Sequence, residues 1–173
     1  VNTGSAGNVL NQLNNDTYFN FTASSVSLAQ IDTLAELASY DVVMLGDSST
    51  SHTQLQAMAA VLRQWVESGG GVVGTGWLIY SVGASTGTAI ADMDAIFPVN
   101  TTPQYAYTNG VQLTITDNTH PITTGVSSFT VSDYVEYSSL GVDAGAIVLG
   151  TASGQAAVVA GNTGTGRSVY LGP

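Results

Sequence analysis

Apolar positions along this chain follow two periods, and the period changes once, near residue 103. Before that point the spacing is mostly helical. Val9, Leu10 and Leu13 share one face of a predicted helix over 5–13, stopped by Asn14–Asn15–Asp16. Tyr18–Phe19–Asn20–Phe21–Thr22 reads as a short strand. Ser27–Leu28–Ala29–Gln30 is a capping box, in which the serine oxygen and the glutamine amide satisfy each other's backbone N–H groups. Leu28, Ile31, Leu34 and Ala38 continue at helical spacing, so a helix is predicted to run to about Tyr40. The run Val42–Val43–Met44–Leu45 is continuously apolar and bounded by Asp41 and Asp47, which predicts a strand buried on both faces, as in a parallel sheet. A second capping box, Ser51 to Gln54, opens a helix over 53–68 with Leu55, Met58, Leu62, Trp65 and Val66 on its apolar face. Gly69–Gly70–Gly71 ends it and a strand over 72–76 follows. Strand, helix and strand form one βαβ unit, whose crossover is right-handed. Ile90, Met93 and Ile96 make the second half of 79–97 helical, and Pro98 closes it.

After Pro103 the period is two. Strands are predicted around Gln112–Thr116, Phe129–Ser132, Ala146–Leu149, Ala156–Ala160 and Ser168–Leu171. The last two flank Gly161–Asn162–Thr163–Gly164–Thr165–Gly166. That glycine run loosely matches a phosphate loop, but no helix follows it, so it is a hairpin turn. The chain reads as one α/β domain over 1–173, with βα units first and a β-rich part last.

Composition narrows the function classes. Hydrophobic residues make up 44% of the chain, enough for a packed core. Charged residues make up only 8%, against about 25% in an ordinary domain. Arg63 and Arg167 are the two basic residues, there is no lysine, and the net charge is −10. A nucleic-acid surface needs a basic stripe, which two arginines cannot build, and anionic lipid is excluded on the same ground. No apolar run approaches the roughly 18 residues of a membrane span. A surface of Ser, Thr, Asn, Gln and Gly suits an extracellular or cell-surface module. Cysteine is absent, which removes thiol nucleophiles and cysteine-ligated zinc. The two histidines, His52 and His120, lie far apart, and no D-x-D-x-D-G loop occurs. No cofactor is expected, and calcium held by loop carboxylates is the one metal the composition leaves open. The sequons at Asn15, Asn20 and Asn100 are what chance gives in a chain this rich in Asn and Thr.

Four stretches, "LASYDVVMLGD" (37–47), "LRQWVESGGGVVGTGW" (62–77), "THPITTGVSSFTVSDYVEY" (119–137) and "GTGRSVYLGP" (164–173), resemble the class I glutamine amidotransferase-like superfamily. Within it they are most similar to the ThuA-like (trehalose-utilisation-protein-like) branch. The most specific group is His120–Pro121–Ile122 with Gly125, Phe129 and Asp133 downstream. The resemblance implies a flavodoxin-like three-layer sandwich with a mainly parallel sheet. It also implies a first strand before the helix at 5–13, so the chain is expected to be part of a longer protein. The superfamily's nucleophile elbow reads G-x-C-x-G. Aligned on Gly74, the cysteine slot falls on Gly76, which cannot attack a carbonyl, so catalysis by that mechanism is not expected.

In open parallel sheets ligands sit beyond the carboxyl ends of the strands. That places Asp47 and Ser48 in one candidate loop and Thr75, Gly76 and Trp77 in another, with Asp47 accepting from sugar hydroxyls and Trp77 stacking on a sugar ring. The first expectation is therefore a non-catalytic module that binds a glycan or a neighbouring domain through these loops. The alternative is a ThuA-like sugar-active enzyme in which His120 is the base and Asp133 or Glu136 orients it. A third reading is a structural domain of a surface protein or filament. A triad of Ser48 or Ser81 with His120 and Asp133 can be written, but neither serine sits in a G-x-S-x-G elbow. His52, inside a capping box, is expected to be a solvated helix-start residue.

Overall fold

A computed structural model describes residues 4–15, 17, 20–46, 51–101 and 105–173. The chain opens with α1 (Gly4–Leu13). The predicted helix over 27–40 is instead two short pieces, a 3-10 turn at Leu28–Gln30 and α2 at Leu34–Leu37. Each has its own capping box, because Thr33–Leu34–Ala35–Glu36 is a second S/T-x-x-E signal that stops the first turn and restarts the helix. Then follow β1 (Val42–Leu45), α3 (His52–Glu67) and β2 (Gly71–Gly74), the predicted βαβ unit. The Ser51–Gln54 box opens α3 as expected, with the Ser51 N–H donating to Gln54 Oε1 at 2.9 Å. Residues 79–97 carry a π-helical turn (Tyr80–Ala84) and α4 (Ala91–Asp94). Of the strand predicted at 18–22, Tyr18 and Phe19 lie outside the described residues, and 20–22 is not strand.

The β-rich part consists of β3 (Ala106–Ile115), β4 (Phe129–Tyr137), β5 (Ile147–Ala152), β6 (Gln155–Thr163) and β7 (Gly166–Leu171). All seven strands form one sheet in the order β1-β2-β7-β6-β5-β3-β4. Only β1–β2 and β2–β7 are parallel; the other four neighbour pairs are antiparallel. The sheet is therefore mixed, and the mainly parallel flavodoxin-like arrangement is corrected to a parallel corner joined to an antiparallel majority. The physical reason is connection length. Beyond Pro103, turns as short as Gly164–Thr165 join the strands, and such turns permit only antiparallel neighbours.

The sheet curls. β4 is the far edge, yet the Glu136 N–H donates to the Gly172 carbonyl at 2.8 Å, just past the end of β7, while the Gly172 N–H reaches Ala157 at 2.7 Å. A Cβ at Gly172 would collide with the Glu136 carbonyl, so glycine is what lets the two strands meet.

The main core lies between the sheet and α3. Leu55, Met58, Leu62, Trp65 and Val66 are all buried, as their spacing predicts. They face Val43, Leu45, Val72 and Tyr170, and each such aliphatic side chain contributes about 1.5–3 kcal/mol. β1 is not buried on both faces as predicted. It is an edge strand whose Val42 and Met44 are exposed. A second cluster (Leu113, Val135, Leu149, Ala157, Val158) fills the curl of the antiparallel part.

Candidate functional site

The strand-to-helix turn after β2 runs through Thr75, Gly76 and Trp77. Thr75 belongs to the scaffold: its N–H donates to the Leu45 carbonyl at 2.9 Å and ties β1 to the turn. Gly76 is buried against the chain end, and a Cβ there would lie 3.0 Å from the Gly172 carbonyl. Backbone thus closes off the space beside Gly76. The strained residue is the next one. Trp77 has φ 68°, in the left-handed region that a bulky side chain rarely adopts, at a cost of about 1–3 kcal/mol.

The helical turn beginning at Leu78 has orphan N–H groups, as every helix start does. Leu78 donates to the Thr75 carbonyl at 3.1 Å. Ile79 and Tyr80 donate to the two carboxylate oxygens of Glu136, at 3.1 and 3.0 Å. A helix N-terminus is a ready anion site, and here the protein's own carboxylate fills it. The Tyr170 hydroxyl adds a 2.9 Å bond to Glu136 Oε2. Glu136 is fully buried. Burial raises its pKa, opposed by the Tyr80 N–H, the Tyr170 hydroxyl and the Ile79 N–H. The buried Tyr134 hydroxyl is close to the same carboxylate but has no hydrogen-bond partner. Its pKa is pushed far up, first by burial and then by the Glu136 charge.

Five aromatic rings stand over this carboxylate. Tyr107 is paired directly with Glu136 across β3 and β4, and Tyr134 is two residues back on the same face. Tyr105 lies two residues before Tyr107, again on that face. The curl brings these rings to the turn. Trp77 stacks flat on Tyr134, with centroids 4.7 Å apart and planes 1° apart. Tyr107 stacks on Tyr134 at 5.2 Å and on Tyr105 at 6.2 Å. Tyr80 meets Trp77 edge-on at 5.4 Å and Tyr105 at 5.0 Å. These are the favoured aromatic geometries. Trp77, Tyr80, Tyr105 and Tyr134 are half-buried, while Tyr107 is 53% exposed. The result is an aromatic platform at the carboxyl ends of β2 and β7, with no basic side chain among its residues.

Of the sequence-predicted residues, Thr75, Gly76 and Trp77 meet here, and Glu136 joins them as a helix cap rather than as a partner of histidine. Asp47 and Ser48 lie outside the described residues. His120 sits in the β3–β4 connection, beyond the Leu113–Phe129 end of the hairpin. Glu136 is seven residues along β4 from Phe129, about 23 Å at strand rise. Asp133 is exposed and, three residues from Glu136, on the opposite face of β4. The fold therefore does not bring His120 together with Glu136 or with Ser81. His120 closes a local turn instead: its N–H donates to Asp117 Oδ1 at 3.3 Å and its Nδ1 accepts from the Ile122 N–H at 3.3 Å. His52 is half-buried rather than solvated, its Nδ1 3.1 Å from the Ser81 carbonyl. Among the described residues no group of three or more His, Asp or Glu side chains could hold a metal ion. Sequence reasoning missed Tyr80, Tyr105, Tyr107, Tyr134 and Tyr170. The spacing of two in Tyr105–Tyr107 and Tyr134–Glu136 marks two shared faces, but nothing local shows that those faces meet Trp77.

No family model matches the chain, and no curated protein matches it. Solved structures do match its fold. A cytoplasmic protein from Salmonella typhimurium superposes with a TM-score of 0.61 at 18% identity, covering 81% of this chain and 63% of the other. A protein of Bacteroides uniformis described as thuA-like gives 0.60 at 18% identity, covering 97% and 73%. Gan42B, a GH42 β-galactosidase from G. stearothermophilus, gives 0.52 at 19% identity, covering 77% of this chain and 19% of that much longer one. The chain thus spans less than two thirds of the Salmonella protein and about a fifth of the galactosidase. At these identities the likeness is one of fold, and the fold is the one found in ThuA-like proteins.

Proposed function

We propose that this chain is a non-catalytic binding module of the amidotransferase-like superfamily, with its ligand site on the aromatic platform around Trp77. The observation that carries this reading is the filled elbow. Gly76 packs on backbone, the helix N-terminus holds Glu136, and among the described residues no exposed acid or base stands in the platform. What remains is aromatic surface at the end of the sheet where this architecture binds ligands. With no cation nearby and a net charge of −10, the site disfavours anions. A neutral glycan fits it, its apolar ring face packing on aromatic carbon and its hydroxyls meeting the tyrosine phenols. The low charge content and the Ser/Thr/Asn-rich surface fit an extracellular or cell-surface setting, within a longer protein.

The test is isothermal calorimetry and thermal shift against neutral and anionic oligosaccharides. A neutral sugar at about 100 times its Kd stabilises the fold by about 2.7 kcal/mol. Tyr107→Ala, at an exposed position, is expected to abolish that shift while lowering the unliganded melting temperature only modestly, by the loss of its stacks on Tyr134 and Tyr105. Absence of a shift with every neutral sugar, or a shift indifferent to Tyr107→Ala, sinks the proposal.

A further inference from the structure

The five rings of the platform close into a circuit. Trp77 meets Tyr134 at 4.7 Å, Tyr134 meets Tyr107 at 5.2 Å and Tyr107 meets Tyr105 at 6.2 Å. Tyr105 meets Tyr80 at 5.0 Å, and Tyr80 returns to Trp77 at 5.4 Å. The interplanar angles run from 1° to 85°, so ring faces point in more than one direction. Each face carries the negative end of an aromatic quadrupole, which attracts a cation within about 6 Å of the ring centre. The Glu136 carboxylate lies under the circuit, held by the Tyr80 N–H at 3.0 Å.

The chain brings no cationic side chain of its own to this surface. It has no lysine and only two arginines. Arg63 is on α3, bound to Glu67 at 2.7 Å and to Asp92 at 3.1 Å. Arg167 sits opposite Gly71, at the start of β2, whereas the Trp77 turn follows the end of that strand. His52 bonds the Ser81 carbonyl and His120 the Ile122 N–H. The charge felt in the platform is therefore of one sign, and the phenols register it. The Tyr105 pKa is raised by burial and then by Tyr107, Tyr80 and Glu136. That of Tyr134 is raised by burial and then by Glu136. A surface that resists negative charge on its own phenols favours positive charge in what it binds.

We infer that the glycan this platform prefers carries a protonated amine: an amino sugar in its free-amine form. The inference rests on the reading of the platform as a sugar site and names which sugar. A glucosamine-type ring offers an apolar C–H face to the aromatic stack. Beside that face it offers an ammonium, which a ring face or a phenol oxygen receives. N-acetylation removes the charge and keeps the ring, so it isolates what the cation contributes.

The test is calorimetry with trisaccharides of glucosamine, N-acetylglucosamine and glucose in the same linkage, at a pH where the amines are protonated. Salt at about 0.15 M screens the general pull of the net charge of −10 beyond about 8 Å. The glucosamine trimer should bind at least about fivefold tighter than either neutral trimer, which is what about 1 kcal/mol of cation–π attraction gives. Tyr107→Phe keeps the ring and should keep the preference, whereas Tyr107→Ala should abolish binding of all three. Equal affinities, or a tighter neutral trimer, overturn the inference and leave the sugar-binding reading in place. No binding of any trimer overturns both. A preference lost in Tyr107→Phe overturns the inference, because the hydroxyl and not the ring then supplied it. So does glucosamine-trimer binding that survives Tyr107→Ala, because the attraction then belongs to the net charge of the chain.

Discussion

Asp117 and Glu136 each gather backbone N–H groups at the start of a turn, and they do so in opposite surroundings. Asp117 is only half-buried, and its carboxylate's partners are all within three residues: the Thr119 N–H at 2.8 Å, the Thr119 hydroxyl at 2.7 Å and the His120 N–H at 3.3 Å. Glu136 is fully buried, and its partners lie 34 to 57 residues away, at Tyr170, Tyr80 and Ile79. The hydrogen bonds are alike in kind, but the consequences of losing them are not. Water can replace a partner of Asp117. Nothing replaces a partner of Glu136, so an unmet donor there carries its full desolvation cost. The difference separates a carboxylate that finishes a turn from one that joins the elbow to the antiparallel part of the sheet.

Glu136→Ala is the most direct way to break the comparison. It strands the N–H groups of Ile79 and Tyr80 and the Tyr170 hydroxyl, and it should cost about 3–5 kcal/mol, read as a fall in denaturation midpoint. Glu136→Gln keeps one acceptor and sets an amide N–H₂ against a donor, so it should cost roughly half of that. pH separates the two carboxylates by sign. The Glu136 pKa is raised above its ordinary 4.5, so its contribution to stability is lost as pH rises from 4.5 through the folded value. The Asp117 pKa is lowered below 3.8, chiefly by the Thr119 hydroxyl and N–H, so its contribution is present above 3.8 and lost as pH falls through the folded value. The native protein should therefore gain stability on moving from neutral pH toward 4.5, and Glu136→Gln should reduce that gain. Asp143, also raised by burial and by Asp94, keeps a residual slope of the same sign.

The same contrast explains what could be read from the letters. Capping boxes, the α3 stripe and the 164–165 hairpin rest on residues a few positions apart, and spacing reveals them. The Thr33–Glu36 box was equally legible and was hidden only by the longer helical pattern around it. The mixed sheet order, the curl and the platform rest on contacts between residues such as Glu136 and Gly172, whose meeting depends on every strand between them. The letters also give no sign of where the strained backbone lies. They mark Gly76, because glycine stands where the motif has cysteine, but the left-handed backbone is at Trp77. A tryptophan is not the residue that spacing rules assign to positive φ, and only its stacking on Tyr134 makes the choice intelligible.

That stacking can be weighed against the strain. Trp77→Ala removes the ring from the Tyr134 stack and keeps a Cβ at φ 68°, and should destabilise by about 2–3 kcal/mol. Trp77→Gly removes the same ring but relieves the backbone, so it should retain about 1 kcal/mol relative to alanine. Equal melting temperatures for the two variants would mean that the backbone at 77 relaxes once the ring is gone. The platform would then be held by Glu136 alone.

The smallest effects belong to the Asp117 turn, and they sharpen the comparison by being small. Asp117→Ala frees two backbone N–H groups that are close to solvent, and it should lower the melting temperature slightly. His120→Ala should do less still, since the ring accepts a single 3.3 Å bond, from the Ile122 N–H within the same turn. The useful readout is at the other end of the molecule. In a Trp65→Phe background, Trp77 fluorescence reports the stack on Tyr134 and the environment over Glu136, so neither variant should shift its emission, whereas Glu136→Gln should. A Trp77 shift in His120→Ala would mean that the β3–β4 connection and the elbow are coupled along the whole hairpin. The alternative reading, with His120 at work in the site, would then regain a physical route.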